Sequence, residues 1–325
     1  MSIRKLGPLV MTLLLAVAGG AFAFSPSNVE CIAPADPGGG WDFTCRSVGK
    51  ILYDLKMVPQ PVKVTNMSGG GGGVAYGYVI SKRNSDANLL IAASTATTTR
   101  LAQNQFAGLS EDQVRWVGAI GADFGVIAVA KDSPYHTLKD LVAAVEADPS
   151  SIAFGGGSAV GGWDHLKVLL LMKAAGMTNV KSVKYISFNS GGNALTQLLG
   201  HHVQAVTGDI SELKGQIEAG AVRPLAILSD ERLPGDVNTI PTAKEQGYDV
   251  VGANWRGFYV PGKVSDDAFA FWQQTLDTLY ASDEWKAAMA ANGVAPFHMS
   301  GNAFNDFVNK QIKDLRSLSQ EIGLL

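Results

Sequence analysis

A chain of 325 residues with 26 basic and 29 acidic side chains carries a formal net charge of −3, a mildly acidic balance that argues against nucleic acid or an anionic membrane surface as its partner. The only cysteines are Cys31 and Cys45, and with so few ligating neighbours they argue against a metal site. Glycine is abundant at 37 residues, and the excess is gathered into a few turns rather than spread through a linker.

In chain order, the first 23 residues carry Arg4 and Lys5, then an apolar run over 9–18, then Ala21-Phe22-Ala23. This is the pattern of a secretory signal peptide cleaved before Phe24. An uncleaved anchor is the rival reading, but the run is shorter than the roughly 20 residues a membrane span requires. Loss of Arg4 and Lys5 with the leader takes the net charge from −3 to −5, so any bound anion must be held by local donors. A mature chain of about 300 residues suits two compact domains better than one.

Residues 29–33 read as a strand and 43–52 as a helix with Cys45, Val48 and Leu52 on one face. In an oxidising compartment Cys31 and Cys45 can pair, closing a loop of about 15 residues worth roughly 3 kcal/mol; two reduced buried thiols are the alternative. Residues 62–66 form a second strand, 74–81 a helix and 89–93 a third strand, after which the hydroxyls from Ser94 to Thr99 crowd the start of another helical stretch. The segment 117–130 has no helical period and contains Gly118, Gly121 and Gly125.

The middle of the chain repeats the rhythm. Thr137-Leu138-Lys139-Asp140 resembles a capping box, followed by an apolar face of Leu138, Leu141, Val142 and Val145. Strands are read at 151–154, 184–188, 203–207 and 226–228, and helices at 163–175, 193–199 and 210–219. Gly176, Gly200 and Gly220 end the helices, as expected of the C′ residue. Strand and helix in alternation argue for βα units and a largely parallel sheet. After Pro241 an extended aromatic segment, 250–260, leads into helices at 266–280, 282–292 and 302–318, expected to pack back on an existing sheet. The segments 117–130 and 250–260 read as two strands crossing between domains, which makes the first domain discontinuous: 24–123 with 251–325, against 124–250.

Four glycine-rich turns precede helices: Pro37-Gly38-Gly39-Gly40-Trp41-Asp42, Ser68-Gly69-Gly70-Gly71-Gly72-Gly73, Phe154-Gly155-Gly156-Gly157-Ser158 and Asn189-Ser190-Gly191-Gly192-Asn193. Glycine admits positive φ and close approach, while a helix start offers unpaired N–H groups and the positive end of a dipole. Carboxylates or phosphates are the natural guests, although any one of these turns could be an ordinary strand-to-helix connection.

Catalytic constellations are missing from the sequence. His136, His165, His201, His202 and His298 form no H-E-x-x-H motif, and Val160 stands where a G-x-S-x-G elbow needs its last glycine. Gly70, Gly72 and Ala75 match G-x-G-x-x-A, but no acidic residue follows near 90–95 to hold a ribose. His165 lies early in a helix and can face a cleft, or serve as a structural hydrogen-bonding residue. Asp42 and Asp209 follow strands and turns, where carboxylates more often cap helices. Arg46, Arg100 and Arg256 are candidates for pairing with an anion, against the commoner role on an exposed face.

The stretch from Cys31 to Arg46, with Ala33-Pro34-Ala35-Asp36-Pro37-Gly38-Gly39-Gly40-Trp41-Asp42 at its centre, resembles the first loop of the periplasmic receptors of tripartite tricarboxylate transporters, the Bug-type receptors. Its flanking cysteines look like the tricarboxylate-binding branch. Phe154 to Ser158 with His165-Leu166, the Asn189 turn, Gly208-Asp209-Ile210 and Trp255-Arg256-Gly257 resemble later family motifs. The resemblance implies an α/β, two-domain periplasmic-binding-protein fold of the Venus flytrap, type II kind, with a two-strand hinge. It implies a monomeric periplasmic receptor, without cofactor or catalysis, that captures citrate or a related tricarboxylate and delivers it to large and small integral-membrane permease subunits. A sensory subunit for a membrane histidine kinase and a carboxylate-processing enzyme are the alternatives. The implied ligand set on the first domain is Gly38, Gly39, Trp41, Asp42, Ser68 and Gly70, Gly71, Gly72 and Gly73, with Ser94, Thr95 and Thr97. Across the cleft it is Gly157, Ser158, His165, Asn189, Gly191 and Asp209. The pentaglycine is longer than a minimal glycine turn, so which of its amides would bind stays open.

Overall fold

The computed structural model describes residues 24–325; the leader read in residues 1–23 lies outside them. The first lobe opens with β1 (Glu30–Ala33), α1 (Gly40–Asp54), β2 (Lys63–Asn66), α2 (Gly73–Lys82), β3 (Leu89–Ser94) and α3 (Thr95–Ala102). β1 lies between β2 and β3 and runs parallel to both, as helical connections between successive strands allow. Next comes β4 (Val114–Ala130), and the second lobe follows as α4 (Leu138–Ala147), β5 (Ala153–Gly156), α5 (Trp163–Ala174), β6 (Lys184–Ser187), α6 (Gly191–Leu199), β7 (Ala205–Asp209), α7 (Ile210–Glu218) and β8 (Val222–Ile227). The chain returns through β9 (Ala253–Pro261) and ends with α8 (Asp266–Ala281), α9 (Asp283–Asn292), a two-residue β10 (Met299–Ser300) and α10 (Gly301–Glu321).

β4 joins the two halves. Its residues 114–124 pair with β9, and residues 125–130 pair with β7 and β8. The chain leaves and re-enters the first lobe at adjacent points: Gly125 N–H donates to the Gly252 carbonyl at 2.9 Å, and Gly252 N–H to the Leu228 carbonyl at 2.8 Å. Two crossing segments therefore connect the lobes side by side. Glycine is required here for close approach, since a Cβ on Gly257 would lie 2.2 Å from the Gly118 carbonyl oxygen of the neighbouring strand.

The sheet is mixed rather than largely parallel. Pairs β1/β2, β1/β3, β5/β6 and β5/β7 are parallel. Every pairing made by β4 and β9 is antiparallel; β9 stays in the first lobe, on β3 and residues 114–124 of β4, and the return crossing is made just before it, at Gly252. β8 starts earlier than the sequence pattern suggests, at Val222, because Pro224 hides it: this proline sits opposite Ala128, where the register with β4 shifts, a place that tolerates a residue without an N–H.

The late helices do pack back. Trp272 and Trp285, fully buried, join Leu90, Val117, Ile120 and Phe258 in one apolar cluster, and their indole N–H groups reach the carbonyls of Ala87 (2.8 Å) and Ile120 (2.7 Å), which satisfies the polar tips that burial would otherwise strand. Cys31 and Cys45 form a disulfide within the same cluster, with Cα atoms 5.7 Å apart. A second cluster spans both lobes and includes Phe154, Leu169 and Val180 together with Trp255, Phe304 and Ile322.

Candidate ligand-binding cleft

Helix starts from both lobes face one gap. α1 begins after Gly39 and α3 after Ser94, while on the other side α5 begins after Gly162, α6 after Ser190 and α7 after Asp209. Gly38 has φ +83°, and Gly69 through Gly72 all have positive φ, so the first two turns use conformations that side chains other than glycine rarely adopt. The third turn needs glycine for space: a Cβ on Gly157 would stand 2.4 Å from the Gly191 nitrogen.

The gap contains a cavity of about 170 Å³ whose walls include Pro34, Trp41, Gly69, Gly70, Gly71, Ala96, Arg100, Gly157, Ser158, Ala159, Gly162 and Asn189. A smaller space of about 40 Å³ adjoins it, lined by Gly39, Gly40, Trp41, Ser94, Ser158, Ser190, Asp209, Glu212 and Arg256 among others. Polar contacts hold the lobes together around these spaces. Asp36 N–H donates to the Asn189 carbonyl (3.2 Å), and the Asn193 amide donates to Asp36 Oδ2 (2.9 Å). Gly40 N–H reaches Glu212 Oε1 at 2.8 Å, and Gln103 Nε2 reaches the Gly161 carbonyl at 2.7 Å.

The residues singled out in the sequence have different fates. Gly39, Trp41, Gly70, Gly71, Ser94, Gly157, Ser158, Asn189 and Asp209 line one or both spaces. Gly38 packs against Gly192 across the gap and donates its N–H to Asp42 Oδ2. Asp42 is buried and also accepts from Arg46 and Asn66, so its carboxylate fastens the first turn. Ser68 donates to Asp36. Gly72 and Gly73 pack on the rings of Trp41 and Phe106, away from the cavity wall. Thr97 caps α3 by accepting from Ser94 N–H, and Thr95 bonds the backbone of Ala253 and Trp255. Gly191 lies against the Glu212 carboxyl group. His165 Nδ1 accepts from Gly161 N–H at 2.9 Å and its ring stacks on Tyr185; burial pushes its pKa down to about 4, so it is a neutral ring that braces the turn.

Beneath the smaller space lies a buried ionic network. Asp209 accepts from Lys167 Nζ (2.7 Å), Arg256 Nη2 (2.8 Å) and Asn254 Nδ2 (2.5 Å). Arg256 also holds Asp123 at 2.8 Å, and Lys167 holds Asp164 at 2.8 Å. Burial works to raise the Asp209 pKa, but the two cations outweigh it and keep the carboxyl below its ordinary range. Glu212 makes no direct ion pair among the described residues: burial, then repulsion from Asp209 and Asp164, outweighs the pull of Arg256 and pushes it up to about 8. Sequence reasoning passed over Glu212 and Asp36. The signal for Glu212 was its place three residues after Asp209, since the pair forms a capping box at the start of α7. Among the described residues no group of His, Cys, Asp and Glu is arranged to hold a metal ion, and no helix is long and apolar enough to cross a membrane.

A family model described as tripartite tricarboxylate transporter family receptor matches residues 52–324. The chain belongs to that family. Protein BugT of Bordetella pertussis is 25% identical to this receptor over 329 residues, covering 98% of this chain and 96% of that one. Among solved structures, the periplasmic binding protein BugD aligns with a TM-score of 0.80 at 21% identity, and an R. palustris protein solved with adipate with a TM-score of 0.82 at 21% identity. Both alignments cover 91% of this chain and 97% of the other. The two-domain periplasmic-binding-protein fold is thus shared, and the receptor is a periplasmic solute-binding protein, not an enzyme.

Proposed function

We propose that the receptor captures a small di- or tricarboxylate, citrate first among them, between its lobes and delivers it unchanged to an integral-membrane permease of large and small subunits. The observation that carries this reading is the cleft itself: about 170 Å³ of space walled by glycine turns and helix starts from both lobes. That volume is below the roughly 300–1,000 Å³ of sites for drug-sized ligands, and main-chain N–H groups at helix starts favour anions. The neighbouring R. palustris structure carries adipate, and MatC of Rhodopseudomonas palustris carries malate; both guests are small polycarboxylates. In this reading residues 1–23 export a monomer to the periplasm. The lobes 24–123 with 251–325 and 124–250 then move about the strand pair at Gly125 and Gly252. Substrate enters the open, wet cleft, and closure removes water, which strengthens the hydrogen bonds to its carboxylates.

A thermal-shift series with citrate, isocitrate, tricarballylate, malate, adipate and glucose tests it. A ligand at about 100 times its Kd stabilises the folded state by about 2.7 kcal/mol, so at least one acid is expected to raise the melting temperature while glucose does not. An equal response to glucose, or none to any acid, would refute the carboxylate assignment.

A further inference from the structure

Three arginines lie near the cleft, and two have carboxylate partners. Arg46, half-exposed, pairs with Asp42 at 2.9 Å, and Arg256 is shared between Asp123 and Asp209. Arg100 differs. It is only 8% exposed, and it forms part of the wall of the larger cavity beside Gly71 and Ala159. Its Nη1 donates to Gln103 Oε1 and to the Val160 carbonyl, each at 3.0 Å, and its Nη2 to Gln105 Oε1 at 3.2 Å. All three acceptors are neutral. Nε is buried with no acceptor, and burial alone, with no neighbouring charge, depresses the basicity of the group. A buried cation without a counter-charge is costly. The bond to Val160, on the second lobe, fixes the guanidinium against the cavity when the lobes are together. The buried carboxylates Asp123, Asp164 and Asp209, meanwhile, are engaged with Lys167 and Arg256.

We propose that Arg100 supplies the positive charge that pairs with one carboxylate of an anion bearing at least two, while main-chain donors near Trp41, Gly157 and Ser158 take the remainder. This rests on the carboxylate-receptor reading and adds to it a selection by charge. A neutral group at the same place leaves the guanidinium buried and unpaired, so the site rejects amides and sugars of similar shape.

The experiment is titration calorimetry on the full mature receptor with citrate, tricarballylate, malate and adipate. The best-binding acid is then compared with its own monoamide on wild type, Arg100→Gln and Arg100→Lys. Truncating one side of a buried charge pair weakens binding by roughly 30-fold or more, and that loss is expected for the acid on Arg100→Gln and for the monoamide on wild type. The two losses are not expected to add, and Arg100→Gln without ligand is expected to melt no lower than wild type, because it sheds an unpaired buried charge. If Arg100→Gln does not fold, the acid-versus-monoamide ratio on wild type and the affinity of Arg100→Lys decide. Wild type binding acid and monoamide alike, or Arg100→Gln binding the acid as wild type does, overturns the role of Arg100 and leaves the carboxylate receptor standing. Wild type binding no acid overturns both.

Discussion

Replacing Asp209 by Asn tests the ionic network under the cleft. The substitution keeps the shape of the side chain but removes the charge that faces Lys167 at 2.7 Å and Arg256 at 2.8 Å. Both cations are buried, Lys167 completely and Arg256 to within 3%. Breaking a buried ion pair by removing one partner costs about 3–5 kcal/mol. Lys167 retains Asp164 and Arg256 retains Asp123, so the expected cost is at the lower end, about 3 kcal/mol. With a urea slope of about 3 kcal/mol per molar, suited to a large chain, the midpoint at pH 7 should fall by about 1 M. The pH dependence adds a check of sign. Asp209 has a folded pKa below its unfolded one, so its contribution is complete above the unfolded value, near 3.9, and is lost as pH falls through the folded value. That contribution should therefore be constant from pH 5 to 7 and fade only in strong acid, while relief of the Asp209 repulsion on Glu212 should narrow the gap between wild type and variant somewhat as pH rises from 5 to 7. A urea midpoint unchanged by Asp209→Asn at pH 7 would refute the claim that this carboxylate holds the two cations.

Glu212 should act in the opposite direction. Its folded pKa is raised to about 8, so wild type is expected to lose stability as pH rises from the unfolded value, about 4.3, to about 8. Melting temperatures recorded across that range should decline for wild type and stay flatter for Glu212→Gln; parallel curves would count against a protonated Glu212. Gly157→Ala drives a methyl group into the Gly191 nitrogen and the Ser190 carbonyl carbon, at 2.4 and 2.7 Å. Both obstacles are backbone, so the start of α6 must shift, at an expected cost of 1–3 kcal/mol together with weaker binding of the acid found by thermal shift. Full affinity and stability in that variant would show that the turn has slack.

The local architecture was legible because it is written in short-range patterns. The Thr137 to Asp140 capping box forms as read, with Thr137 N–H on Asp140 Oδ2 and Asp140 N–H on Thr137 Oγ1. The two unperiodic segments both contain strands, β4 and β9, of which β4 runs through both halves, and each of the four glycine turns adds residues to the walls of one gap. Pairing partners were not legible, because an antiparallel neighbour such as β9 for β3 is set by contacts more than 150 residues apart. The same limit hid the roles of individual charges. Arg46 stands four residues after Asp42, a local pair that helical spacing already offers, but only the fold supplies Asp123 and Asp209 to Arg256 and leaves Arg100 without a counter-ion. The glycines concealed helix starts in a comparable way: α1 begins at Gly40 and α6 at Gly191, two or three residues before side-chain periodicity becomes visible.

The shared strand β4 also governs how the molecule comes apart. Residues 114–124 and 125–130 are consecutive members of opposite sheets, and the larger apolar cluster draws on both lobes. Melting either half would strip hydrogen-bond partners from the other half's edge and uncover its greasy surface, so neither is an independent cooperative unit. Heat should accordingly produce a single calorimetric peak rather than two. Severing the chain between the lobes would then be expected to yield fragments that aggregate rather than two separately folded pieces.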